Sequence, residues 1–181
     1  MMHHKWFSVL GLSFTISVAS ATGQTVTPEQ VHIEDADTLL VELDGASYRI
    51  QLLGVDAPES GMNPKLQRLM QRTGLAAAAF LPMGRSANGR LHELLNEFQP
   101  YRLVFEPQVK DHYGRTPGDQ IDRHCNSLSL RLVQEGYAVP VGPAGQQDKK
   151  LLDAANSARQ SQRGLWRSHP DAVKAWAAPI H

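Results

Sequence analysis

The stretch Asp35-Ala36-Asp37-Thr38, continued after a short gap by Tyr48-Arg49-Ile50-Gln51-Leu52-Leu53-Gly54-Val55-Asp56-Ala57-Pro58-Glu59, decides the fold. Between and within these segments the apolar residues recur with a period of two. Leu39, Val41 and Leu43 alternate with Thr38, Leu40 and Glu42, and Asp44-Gly45 supplies a tight turn. On the returning strand Tyr48, Ile50 and Leu52 fall on one face, with Arg49, Gln51 and Leu53 on the other. Gly54 and Pro58 then take the chain out of the sheet, which leaves Asp56 and Glu59 at its mouth.

Upstream, residues 22–30 are polar and read as a flexible lead, and strand character begins at Val31. Downstream, Pro64 opens a helix over Lys65–Leu75, but Gly74, the alanines 76–79 and Pro82 blur any apolar stripe through residues 60–83. Leu91, Leu94, Leu95 and Phe98 fall at i, i+3, i+4 and i+7, which predicts a helix capped by Ser86 or Asn88 and ended by Pro100. Tyr101–Glu106 reads as a strand, 107–118 as a loop holding Asp111-His112-Tyr113-Gly114-Arg115, and Gln120–Cys125 as another strand. Asn126 or Ser127 caps a helix that Gly136 stops, and a last helix spans Gln147–Arg163. Strands first, with helices between and after them, predict a mainly β, α+β domain: a small Greek-key barrel with helices outside it.

The length of 181 residues suits one domain. Within it, residues 1–21 have the make-up of a secretory signal peptide: a weakly cationic lead, a charge-free apolar run from Trp6 to Val18, and Ala19-Ser20-Ala21 as a cleavage site. The apolar run is shorter than the roughly 20 residues that span a bilayer. The expected product is an exported, periplasmic or secreted protein, monomeric and with no stable membrane association. Removing residues 1–21 takes away Lys5 and no acid, so 17 basic groups face 18 acidic ones. That balance argues against broad gripping of long nucleic acid through many phosphates, but it permits a locally positive cleft. The single cysteine, Cys125, excludes an intramolecular disulfide and a multi-cysteine metal site.

Phosphodiester hydrolysis needs an in-line water, a group to orient or deprotonate it, and cations to neutralise the phosphoryl oxygens. Asp37 and Asp56, completed by the backbone carbonyl of Ala57 and by water, form an oxygen set suited to Ca2+. Glu59 lies three residues past Asp56, beyond a stiff proline, where it can serve as general base. Arg115 offers a planar fork of donors for two phosphoryl oxygens, and Tyr113, beside His112, a surface for a further phosphate or a base. Each piece alone is ordinary. Asp-Ala-Asp-Thr is most often a turn, Asp-Ala-Pro-Glu a polar strand end, and Tyr-Gly-Arg a surface loop.

In conjunction and order, these segments resemble the thermonuclease family, the staphylococcal-nuclease-like domains. Asp35-Ala36-Asp37-Thr38 is similar to the family's Asp-Gly-Asp-Thr, Leu52 to Glu59 to its strand and turn, and Asp111 to Arg115 to its loop. Leu132-Val133-Gln134-Glu135-Gly136-Tyr137-Ala138 and Arg163-Gly164-Leu165-Trp166 match as well, so the resemblance covers residues 31–168 and leaves 169–181 as a tail. It implies a five-stranded OB-type barrel with about three packed helices. It also implies calcium ligands at Asp37 and Asp56, the water-activating carboxylate at Glu59, a transition-state arginine at Arg115, and DNA or RNA as substrate.

Two departures bear most on activity, beside the milder one of Ala36 in place of the family's glycine, which tightens the turn before Asp37. The family's second catalytic arginine lies five residues before the second metal aspartate, and that position is Gln51 here. Glutamine keeps a donor and loses the charge, where in other phosphoryl-transfer enzymes one arginine is worth roughly 10³ to 10⁵ in rate. Arg49, two residues away on the same face, offers a substitute; its plainer reading is a solvated strand edge. The expectation is therefore a calcium-dependent endonuclease weakened by Gln51, with a non-hydrolysing relative that binds nucleic acid or another partner as its rival. The second departure is roughly 13 extra residues between Glu59 and Gly84, placed where they can cover or reshape the cleft.

Overall fold

The computed structural model describes residues 24–142 and 147–178, so the segment read as a signal peptide lies outside the described residues. Antiparallel pairing begins where the alternation begins. Strand β1 (Gln24–Val26) and a 3-10 turn at Pro28–Gln30 precede β2 (Val31–Asp35), β3 (Thr38–Leu43) and β4 (Ala46–Leu52). The β3–β4 hairpin turns at Asp44-Gly45, both with positive φ, and sends Leu39, Val41, Leu43, Ile50 and Leu52 into the interior. A two-residue strand β5 (Val55–Asp56) follows. Residues 24–30 depart from the expected flexible lead, because β1 pairs antiparallel with β6 (Tyr101–Phe105).

Next come helix α1 (Pro64–Thr73), stopped by Gly74 in the left-handed conformation, and helix α2 (Ala77–Glu97). The expected helix start at Ser86 or Asn88 is corrected: α2 begins nine residues before Ser86 and runs through Pro82. Phe80, Met83, Gly84 and Ala87 are all buried along it. Their tertiary packing overrides the local cost of a proline that removes one helical hydrogen bond.

Strand β7 (Thr116–Asp122) also starts earlier than Gln120, in residues read as loop. It pairs antiparallel with β6 and parallel with β4, with Gln51 opposite Pro117 and Leu52 opposite Gly118. Strand β6 ends opposite Gly118, so Pro117 has one ladder neighbour and its missing N–H is tolerated. At Gly118 an added Cβ would lie 2.9 Å from Phe105 Cβ, which explains the glycine there. Helix α3 (Leu128–Gln134) is capped by Ser127, and β8 (Val139–Pro140) pairs with β5. Helices α4 (Lys149–Gln160), α5 (Leu165–Ser168) and α6 (Pro170–Ala177) complete the chain. The last of these lies in the segment read as a tail.

The main sheet runs β1-β6-β7-β4-β3-β2, six strands rather than five. Its inner face packs on α2, α3 and α4 around Leu39, Ile50, Leu91, Leu103 and Leu132, all fully buried. A second cluster is built from α1, α2, α5 and α6, with Leu66, Phe80, Met83, Leu165, Val173 and Trp176 at its centre. Arg72 at the end of α1 donates to the carbonyls of Ala175, Trp176 and Ala178, tying α1 to the C-terminal turn of α6. Among the described residues no helix is long and apolar enough to cross a membrane.

Candidate active site

A register shift between Ile33 and Asp35 ends β2, and the chain turns through Ala36 to Asp37. Ala36 is fully buried against Ala57 and Ala87, so three small side chains let α2 approach this turn closely. Asp37 is almost fully buried. Its Oδ1 accepts from Thr38 Oγ1 at 3.0 Å and its Oδ2 from Ala57 N at 2.9 Å, which fastens the β2–β3 turn to the segment after β5.

Asp56 ends β5 and Glu59 follows past Pro58. Glu59 is held by α2, since a Cβ at Gly84 would meet its carbonyl and would lie 2.5 Å from Ser60 N. Asn63 holds it from the other side: its Oδ1 caps α1 by accepting from Leu66 N at 2.9 Å, while its Nδ2 donates to Glu59 Oε2.

Lys65, in the first turn of α1, extends into the middle of these carboxylates. Its Nζ lies 2.5 Å from Asp56 Oδ1, 2.5 Å from Glu59 Oε1 and 3.9 Å from Asp37 Oδ2, and it donates to the Ala57 carbonyl at 3.4 Å. Sequence reasoning missed this residue. A lysine one place past a helix-opening proline carries no local signal that it will meet an acid cluster.

Burial works against the charge of Lys65, but the three carboxylates outweigh it and raise its pKa. Burial pushes Asp56 up to about 6 against the pull of Lys65, with Asp37 and Glu59 adding to the rise. Asp35, also missed, is pushed up to about 7 by burial and by its hydrogen bond to Glu59. Glu59 is held below its ordinary value because Lys65, Asp35 and Asn63 together overcome its burial. It stands as a carboxylate able to accept a proton.

The second wall of the cleft is the loop before β7. Asp111 Oδ1 accepts from Tyr113 N and Arg115 N, both at 2.9 Å, and its Oδ2 pairs with Arg115 Nε at 2.8 Å. The Arg115 guanidinium sits 5.2 Å from the Tyr113 ring centre, and the His112 ring lies against that ring in a tilted arrangement with centroids 3.8 Å apart. Asp37, Gln51, Asp56, Glu59, Tyr113 and Arg115 line one cleft of about 820 Å³, and His112 lies outside the lining. Gln51 Oε1 accepts from Thr38 Oγ1 at 3.2 Å, and its Nε2 donates to the Val55 carbonyl at 3.4 Å. Arg49 lines the same cleft but is engaged by both oxygens of Glu34.

The family model described as staphylococcal nuclease homologue matches residues 49–168. The chain belongs to that family. It is 31% identical over 159 residues to a micrococcal nuclease of Shigella flexneri, covering 82% of this chain and 77% of that protein. It is 28% identical over 140 residues to a thermonuclease of Staphylococcus intermedius, covering 73% of this chain and 71% of that one. An endonuclease of Bacillus subtilis is 26% identical over 142 residues, covering 76% of this chain and 11% of that longer protein. The curled sheet with helices packed on it is the family's OB-type fold.

The oxygen donors suit a hard divalent cation in kind. Three carboxylates, those of Asp56 and Glu59 close by and that of Asp37 further off, and the Ala57 carbonyl face one position, which the ammonium takes. The carboxylates do not close into a finished cage: among the described residues no group of three or more His, Cys, Asp or Glu side chains is disposed to hold an ion.

Proposed function

We propose that this protein is an exported, calcium-dependent phosphodiesterase of the endonuclease type, acting on DNA or RNA with a rate reduced by Gln51. The observation that carries the reading is the convergence of Asp37, Asp56, the Ala57 carbonyl and Glu59 on a single cation position, in a cleft that Arg115 also lines. Asp37, Asp56 and the Ala57 carbonyl would hold Ca2+, which would supply positive charge to phosphoryl oxygens. Glu59 orients the attacking water and accepts its proton. Asn63 fixes one Glu59 oxygen and Lys65 pairs with the other, so the carboxylate's geometry is set before substrate arrives. Arg115, oriented through its Nε by Asp111, directs its remaining donors at the phosphoryl group. Tyr113 stacks on a base or binds a neighbouring phosphate.

A second reading, nucleic-acid binding without hydrolysis, draws on the neutral Gln51 and on Arg49 being committed to Glu34. Digestion of DNA and RNA by the purified protein in calcium, with chelator and Glu59→Gln as controls, tests the two. Cleavage that needs both calcium and Glu59 supports the enzyme; unchanged products in both arms refute it.

A further inference from the structure

Lys65 is electrostatically out of place on its own helix. It occupies the second position of α1, where unpaired N–H groups make the helix end positive, and the first turn contains no acidic residue to offset it. What stabilises the ammonium there is the cluster of Asp56, Glu59 and Asp37, contributed by a different part of the chain. One positive charge against three carboxylates leaves the cluster net negative. The Lys65 side chain is 43% exposed and has an open route to solvent. The helix behind it is fixed, because Leu66 is fully buried and Arg72 is bonded to α6.

We infer that Lys65 is a tethered, exchangeable counter-ion: it holds the carboxylates together in the metal-free protein, and a divalent cation binds by displacing it into the cleft. The inference rests on the proposed calcium site. It makes the affinity for the metal a property of α1, the segment that distinguishes residues 60–83, and not of the ligands alone.

The test is titration of CaCl2 into the full chain by calorimetry, with thermal melting in chelator and in calcium. It compares wild type, Lys65→Met, Lys65→Arg, and Lys149→Met as a control for the loss of one remote surface charge. Lys65→Met should bind calcium at least about tenfold tighter than wild type. It should also melt lower than wild type in chelator and gain more from calcium, as expected when binding to the folded state replaces a lost internal partner. Lys65→Arg and Lys149→Met should stay within about threefold of wild type. Equal or weaker calcium binding by Lys65→Met overturns the inference while leaving the calcium site intact. Absence of binding by both wild type and Lys65→Met removes the metal, and the proposed function with it. If Lys65→Met folds only when calcium is present, the counter-ion role stands; if it folds in neither condition, that role is overturned.

Discussion

Gly84→Ala and Gly89→Ala make the same chemical change five residues apart in α2, and the structure predicts opposite results. In an exposed helix interior, alanine is more stable than glycine by roughly 0.8–1 kcal/mol. Around Gly89 nothing lies within 4 Å of an added Cβ, so that gain should be realised. At Gly84 the Cβ would lie 2.5 Å from Ser60 N and closer still to the Glu59 carbonyl. Relief requires α2 and the Glu59 segment to separate by roughly 1 Å, with overpacking costs of about 1–3 kcal/mol, so Gly84→Ala should be destabilised by up to about 2 kcal/mol net. With Glu59 in its proposed role, displacing it by about 1 Å can cost 10²-fold in rate, so the proposed nuclease activity should fall by about that factor. Urea denaturation reads the stabilities and DNA digestion the rates. A Gly84→Ala protein that is stabilised as much as Gly89→Ala, with full activity, would refute the claim that α2 positions Glu59.

Gln51→Arg restores a charge beside Thr38 and should raise calcium-dependent cleavage at least about tenfold, which needs only ~1.4 kcal/mol of transition-state stabilisation; Arg49→Gln should change the rate little, because Arg49 is bound to Glu34. No gain from Gln51→Arg together with no loss from Arg115→Ala would transfer the reading to the binding protein. Glu135 joins α2 to α3 through Arg90 and Arg131, and these guanidinium groups hold its carboxyl below the ordinary 4.5 despite burial. Its contribution is present above that value and is lost as pH falls through the depressed one, so Glu135→Gln should cost about 1 kcal/mol at pH 7 once solvent screening of the exposed partners is allowed for. The gap from wild type should close in acid, as followed by urea melts at several pH values. Exported material should begin at or near Thr22, and N-terminal sequencing that finds Met1 on it would refute cleavage.

What the sequence determined by itself is what local chemistry controls. The alternation from Val31 to Leu52, the Asp44-Gly45 turn, the Ser127 cap and the Gly136 stop are all legible, because each depends on strand period or turn geometry within a few residues. That Asp37, Asp56 and Glu59 lie at turns flanking strands was legible for the same reason, whereas the roles given to them and to Arg115 came from the family resemblance and not from local pattern. Only tertiary structure decided the rest. Pro82 stays inside α2 because Phe80 and Met83 are buried against α5 and α6, and Pro117 enters β7 because β4 runs beside it. Arg49 is taken up by Glu34 from another strand. The ammonium of Lys65 stands among the carboxylates because Arg72, about two turns further along α1, is anchored to carbonyls more than a hundred residues away. No window of sequence contains both ends of such a contact, so charge placement at the centre of the site follows from how α1 packs and not from the motif that supplies the acids.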